Sequence, residues 1–495
     1  MDGPAADTLS GGLRTRTARG TLINGAYLIG LNGLALIKNF LTAGLIATAA
    51  FGVWGLITFA IGALVLLKDG LGSKYVQQQE EDQEVAFQKA FTLELLASSA
   101  VMMLMIVALP IVALITGNDE IIAPGLVFIA AMPAAAFKTP LWIYYRDLRF
   151  ARQRILEGVD PVVSLVVTVG LAIAGESYWA LVIGYFAGAW SGALVAAATT
   201  PVRLRFRFDR ATARSYFAFT WPILIANGGT LLIPMLLIIV GEATLGLAGA
   251  GMMVLAGSIA SYADRVDAII TDTMYPAICR VRDRTELLYE AFTKSNRLDL
   301  IWGVPFGIGV ALFASDLIEF GIGEKWRPGL ILIQAFALTS AANHLGYNWT
   351  AFFRARGDTR PLAIAGPIVV GTFLVVTLPL LAIYDMPGVA VGMAIMTLVS
   401  LTVRAHFVRQ IFPRYSIVRA GLRALAPSVP AVLAVFALRL AFTGDRTLGM
   451  ALGELVVYLG VTAACTWAIE RSLLTEMASY LRRRPRPGLA GAPAA

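Results

Sequence analysis

The strongest constraint on this chain is the order in which apolar and basic segments alternate along it. Windows of about 20 residues, dense in Ala, Leu, Val, Ile, Phe and Gly, recur from near residue 21 to near residue 469. Each is long enough to cross the ~30 Å hydrocarbon layer as an α-helix. In lipid, every backbone amide must be satisfied within its own segment, so runs of this length are helices. The windows fall at 21–40, 51–67, 91–115, 121–144, 156–174, 178–199, 215–240, 244–271, 299–318, 329–352, 361–384, 388–408, 420–441 and 448–469. The fold class is therefore all-α, a polytopic membrane protein with about 14 transmembrane helices. Composition agrees: charged residues are only 15% of the chain, against about a quarter in a soluble domain.

Charge gives the orientation. Connections such as Thr116 to Glu120, Gly175 to Ser177 and Gly241 to Ala243 are short and carry no Lys or Arg. The intervening connections are basic, with Arg146, Arg149, Arg152 and Arg154 in one and Arg203, Arg205, Arg207 and Arg210 in another. Only Lys325, Arg327, Arg439 and Arg446 fall on the opposite side. By the positive-inside rule both termini are cytoplasmic. The net charge of +8 is thus spent on topology, and no nucleic-acid partner is expected.

The two halves repeat. Tyr144-Tyr145-Arg146 matches Phe352-Phe353-Arg354, and at the same offset Arg152 meets Arg360, Gly158 meets Gly366 and Gly184 meets Gly392. The matched spans differ by six in number, so the repeats run in the same direction, as two lobes related by an axis along the membrane normal. The expected organisation is a cytoplasmic segment 1–20, a six-helix lobe 21–200, a basic linker 201–214, a second six-helix lobe 215–412, an additional helix pair 413–472 and a basic cytoplasmic tail 473–495.

No Gly-rich loop with Lys-Ser/Thr is present for nucleotide phosphates, and no HExxH or Cys/His metal spacing occurs. No catalytic residues and no cofactor are expected. His344 and His406 both fall within spans and read as satisfied buried histidines. The informative residues are the polar ones inside the apolar windows, which are costly in hydrocarbon and tend to mark a route for something polar. Between Thr244 and Arg284, Ser258, Ser261, Arg265 and Asp272 share one helix face, with Asp264 and Asp267 beside them. Asn24, Asn32 and Asn39 share a face of the first span, next to Lys38. Lys138 lies in the fourth span and Arg404 in the twelfth.

Cations turned to a common interior would receive an anion, and Arg265, Lys138 and Lys38 with Asn24, Asn32 and Ser261 are the candidate substrate-binding residues. Asp264, Asp267, Asp272 and Glu94 are candidates for ion coupling or simply for pairing. Asp160, Asp299 and Glu454 are acidic residues of the same kind. The aromatic group Tyr178, Trp179, Tyr185 and Trp190 reads as interfacial belt and packing, with a sugar-stacking surface as the alternative.

The six-plus-six arrangement, the trailing helix pair, Phe51-Gly52-x-x-Gly55, the outer loop Gly323-Glu324-Lys325-Trp326-Arg327-Pro328, Met274-Tyr275-Pro276 and the Tyr178-Trp179-Ala180-Leu181 start of the sixth span together resemble the polysaccharide-biosynthesis flippases. These are the Wzx-type lipid-linked oligosaccharide exporters of the multidrug/oligosaccharidyl-lipid/polysaccharide (MOP) superfamily. The resemblance implies flipping of an undecaprenyl-diphosphate-linked oligosaccharide across a bacterial inner membrane, for exopolysaccharide, O-antigen or capsule synthesis, by alternating access through a cationic lumen. It also implies membrane lipids, a polysaccharide polymerase and export proteins as partners. The alternatives are a cation-coupled multidrug antiporter of the same superfamily and, from another class, a membrane glycan polymerase or ligase. The last would need a large outer loop, and the stretch around Glu319 to Arg327 is short.

Overall fold

The computed structural model describes residues 33–68, 71–77, 82–147, 149–358, 360–442 and 444–482, with Tyr27, Gly30 and Leu31. Side chains are described for these except at 73, 76–77, 150, 221–231, 265, 268–269, 272–273, 276–277, 280 and 477–482. All regular structure among the described residues is helical. In chain order the helices used below are α1 (Gly33–Leu45), α2 (Thr48–Lys68), α3 (Gln83–Thr116), α4 (Asp119–Phe137), α5 (Ala151–Ile173) and α6 (Tyr178–Ala198). They continue with α7 (Arg210–Arg280), α8 (Thr285–Ile322), α9 (Leu330–Asn343), α10 (Trp349–Ala355), α11 (Arg360–Ile411), α12 (Ile417–Ala441) and α13 (Leu448–Glu476).

Ten of the helices among the described residues are long and apolar enough to cross a membrane, against the 14 windows expected. The difference has local causes. The windows 215–240 and 244–271 are two arms of α7 that meet at Gly246, whose φ of 70° suits a residue without Cβ. The windows 361–384 and 388–408 are likewise joined in α11, turning at Asp385 with φ 56° just before Pro387. The window 329–352 is interrupted between α9 and α10 by turns at His344–Asn348. Most of window 21–40 before Gly33 lies outside the described residues.

The chain divides into two compact units. One comprises Met1–Tyr262, Leu317–Ile333 and Gly366–Met396; the other comprises Ala263–Asp316, Gln334–Ala365 and Thr397–Ala495.

In the first unit, helices approach through small residues, as expected where lipid removes the hydrophobic drive between helices. A Cβ on Gly52 of α2 would lie 2.0 Å from the Leu247 carbonyl oxygen, and one on Gly251 of α7 equally close to that of Thr48. Among the described residues the α5–α6 pair is the most extensive helix contact, with Gly184 against Thr168 and Gly188 against Asp160 and Ser164. Aromatic packing fills the rest: Tyr185 stacks on Phe128 at 4.7 Å, Trp54 meets both edge-on, and Trp190 Nε1 donates to the Ala130 carbonyl at 3.2 Å. Tyr185 and Trp190 are thus packing residues. The basic linker is strapped to α3, where Arg207 N donates to Thr92 Oγ1 at 2.7 Å and Gln88 donates to the Arg203 carbonyl.

In the second unit, Phe292, Phe352, Phe407, Phe412 and Tyr415 form one buried aromatic cluster. Polar groups inside it are paired: Tyr415 Oη donates to Asn296 Oδ1 at 2.9 Å, and Asn296 Nδ2 donates to the His344 carbonyl at 3.0 Å. Arg404 caps the end of α9 by donating to the carbonyls of Asn343 and Leu345.

All four basic residues on the side expected to be outer have partners. Arg439 and Arg446 share Asp316 and Glu454 in the second unit. In the first, Arg327 pairs with Glu324, whose carboxyl it holds below the usual range. Lys325 donates to the Gly44 carbonyl at 2.9 Å, and burial lowers its pKa. Neighbouring Trp326, 1% exposed, donates to the Ala43 carbonyl at 2.8 Å and meets Phe51 edge-on, so this loop caps the end of α1.

Candidate functional site

Two clusters of ionisable groups, one in each unit, bring together residues of the apolar helices, and the two have opposite character. In the first unit, Lys38 of α1 donates to Ser164 Oγ of α5 at 2.6 Å. Lys138, which closes the last turn of α4, bonds Asp160 Oδ2 of α5. Asp160 is also within electrostatic reach of Lys38. The local sequence explains the convergence. Asp160 and Ser164 lie four residues apart on one face of α5, and Gly188 and Gly192 of α6 leave room beside them. A Cβ on Gly192 would sit 3.1 Å from Asp160 Cβ and 3.3 Å from Lys138 Cε. Two ammoniums gather about one carboxylate, and Lys138 and Asp160 remain 27% and 32% exposed. This arrangement suits an anion whose oxygens can take the place of Asp160 or Ser164 as acceptors.

The second unit's cluster is acidic. His344, between α9 and α10, is 1% exposed. Its Nδ1 lies 2.8 Å from Asp267 Oδ1 of α7 and 2.9 Å from Asp299 Oδ2 of α8, and its Nε2 lies 3.7 Å from Asp264 Oδ1. Ser340 donates to Asp264 at 3.3 Å. Gly303, one turn beyond Asp299, makes the space: a Cβ there would come within 2.4 Å of the imidazole.

The residues singled out from sequence distribute as follows. Lys38 and Lys138 come together, and Asp264 and Asp267 come together. Ser261 donates to the Ser258 carbonyl on its own helix at 2.8 Å. Glu94 is buried against Lys68 and accepts from Ser98. Asn24 and Asn32 lie outside the described residues, as do the side chains of Arg265 and Asp272. Asn39 donates to Tyr262 Oη at 3.3 Å.

Both histidines need correcting. His406 is exposed and meets Gln410 one turn on, because it lies on the outward face of α11. His344 is buried, but its Nε2 has no hydrogen-bond partner among the described residues. The sequence signal for the second cluster was Asp299, an acid inside an apolar window. His344 could not be joined to it from spacing alone.

The family model described as "Polysaccharide biosynthesis protein" matches residues 41–330. Among curated proteins, none matches this chain by sequence. Among solved structures, the chain is similar to the lipid II flippase MurJ in an inward closed conformation. TM-score is 0.65 at 13% identity, over 91% of this chain and 99% of that one. It is also similar to an inward-facing multidrug resistance MATE family transporter of the MOP superfamily. There the TM-score is 0.59 at 14% identity, over 80% of this chain and 100% of that one. A third likeness is to a mutant form of the Vibrio cholerae MATE transporter VcmN, with TM-score 0.52 at 12% identity over 81% and 98%. At these identities the likenesses speak for the fold, a MurJ- and MATE-like bundle, and the family match covers more than half of the sequence. The chain belongs to the polysaccharide biosynthesis protein family and has a MurJ- and MATE-like fold.

Proposed function

We propose that the chain flips an undecaprenyl-diphosphate-linked oligosaccharide from the inner to the outer leaflet of a bacterial inner membrane, feeding exopolysaccharide, O-antigen or capsule synthesis. A diphosphate-sugar headgroup cannot enter hydrocarbon unaided, so a flippase must offer it cations in a polar recess while the prenyl tail stays in lipid. The observation that carries the reading is the pair Lys38 and Lys138 about Asp160, an anion-receptive group in a family devoted to polysaccharide synthesis. Each ammonium serves as a point charge for phosphate oxygens. A neighbouring fold named for lipid II flipping supports a lipid-linked substrate. In this reading the six-helix lobes 21–200 and 215–412 rock to expose the recess to each side in turn, with both termini cytoplasmic. A polymerase would consume the delivered unit, which draws transport outward.

The test is export in a strain lacking the transporter. Lys38→Ala with Lys138→Ala should abolish surface polymer while protein remains in the membrane; normal export would end the anion-site reading. A cation-coupled drug antiporter is the second reading, favoured by the likeness to MATE transporters and by the acids around His344. Drug sensitivity of the same deletion strain, with polymer export unaffected, would select it.

A further inference from the structure

We infer that Asp264, Asp267 and His344 form a binding site for one divalent first-row transition ion of the Zn2+ class, with Asp299 holding the imidazole in place. The ligand atoms of these three residues all lie within 4.8 Å of one another. The orientation of His344 supplies the second, independent observation. Nε2 of His344 is buried, has no hydrogen-bond partner among the described residues, and lies 3.7 Å from Asp264 Oδ1. With the ring hydrogen on Nδ1, directed at Asp299, Nε2 presents a lone pair to that gap. A cation between the two atoms would satisfy both. An ion with bonds of about 2.1 Å to both atoms would subtend an angle of roughly 120° across that distance, near that of a four-coordinate zinc site.

Nδ1 has one hydrogen and two carboxylate takers. Asp299 is fully buried and fixed, whereas Asp267 is 21% exposed and is the one able to turn to a metal. A carboxylate behind the distal ring nitrogen is the arrangement that sets the tautomer of metal-bound histidines. The imidazole nitrogen selects against Mg2+, Ca2+ and Na+, which prefer oxygen. Asp264, 60% exposed, gives the ion its way in. Once bound, the ion would tie α7 to the α9–α10 turn within the second unit. The site does not depend on which substrate the first unit carries.

The test uses the full-length protein, chelator-stripped in detergent and titrated with Zn2+ by calorimetry and with Co2+ by visible absorption. One ion per chain is expected, with the intense bands of a four-coordinate Co2+ site, a raised melting temperature, and no competition from Mg2+ or Na+. Asp299→Asn should weaken affinity about 10- to 100-fold. His344→Gln should abolish stoichiometric binding. Should His344→Gln fail to fold, Asp264→Asn answers instead: Zn2+ affinity and the zinc-induced melting shift should both fall. Absence of saturable binding, binding unchanged in Asp264→Asn, or equal competition by Mg2+ would overturn the proposal.

Discussion

Replacing Gly188 by Ala separates the packing of α5 and α6 from everything else the two helices do. A Cβ at 188 would lie 2.6 Å from Asp160 Oδ1, 2.7 Å from the Asp160 carbonyl oxygen and 2.8 Å from Ser164 Cβ. The carboxylate oxygen can swing away, but the carbonyl belongs to a helix backbone and moves only with it. Bringing 2.7 Å up to the 3.4 Å at which ordinary contact begins requires the helices to part by about 0.7 Å. Interiors packed to crystal density do not absorb that locally, and overpacking of this kind costs about 1–3 kcal/mol. The same shift carries Asp160 away from Lys138, so export should fall along with stability. Gly170 provides the matched control: it lies on α5, and a Cβ there would meet nothing within 4 Å. Gly170→Ala should gain up to about 1 kcal/mol from helix propensity and leave export intact. Thermal unfolding of purified protein and surface-polymer measurement of both variants decide the matter. A Gly188→Ala protein that melts and exports like wild type would refute the argument, and so would equal losses in both variants.

Three further outcomes concern two buried contacts of the first unit and the topology. Glu94→Ala leaves Lys68 buried without its counter-ion and should cost about 3–5 kcal/mol, whereas Lys68→Met with Glu94→Leu should melt near wild type and still export. A double variant that folds but does not export would assign Glu94 a part in transport. Trp326→Ala empties a fully buried site and should cost about 3–5 kcal/mol, while Trp326→Phe loses only the bond to the Ala43 carbonyl, about 0.5–1.5 kcal/mol. Equal melting shifts for the two would deny the side chain its packing role. In a background without Cys279 and Cys465, cysteines at Asn118 and Asp445 should react with an impermeant reagent from the periplasm and one at Arg207 should not. The reverse pattern would invert the topology.

What the sequence made legible was whatever depends on one segment at a time. An apolar window declares a helix because a lipid-embedded backbone has no other partner, and Lys138 or Asp267 declares itself because a charge in such a window is costly wherever the helix goes. Breaks inside helices were harder. Gly246 could be marked as small but not as a bend, and Asp385 carries a positive φ that nothing in its type requires. Pairings across helices were beyond reach for a different reason. Lys38 meets Ser164 across 126 residues, and His344 meets Asp299 across 45, so each depends on helix rotation and on glycines at facing positions. Gly303 illustrates the point: in sequence it is one more small residue in an apolar run, yet its missing Cβ is what lets an imidazole enter between α8 and the α9–α10 turn. The two clusters also needed different knowledge. Lysines near a carboxylate could be foreseen as a cationic group from their types alone. The acidic site depends on how one imidazole is set among Asp264, Asp267 and Asp299, and no spacing in the sequence brings those four residues together.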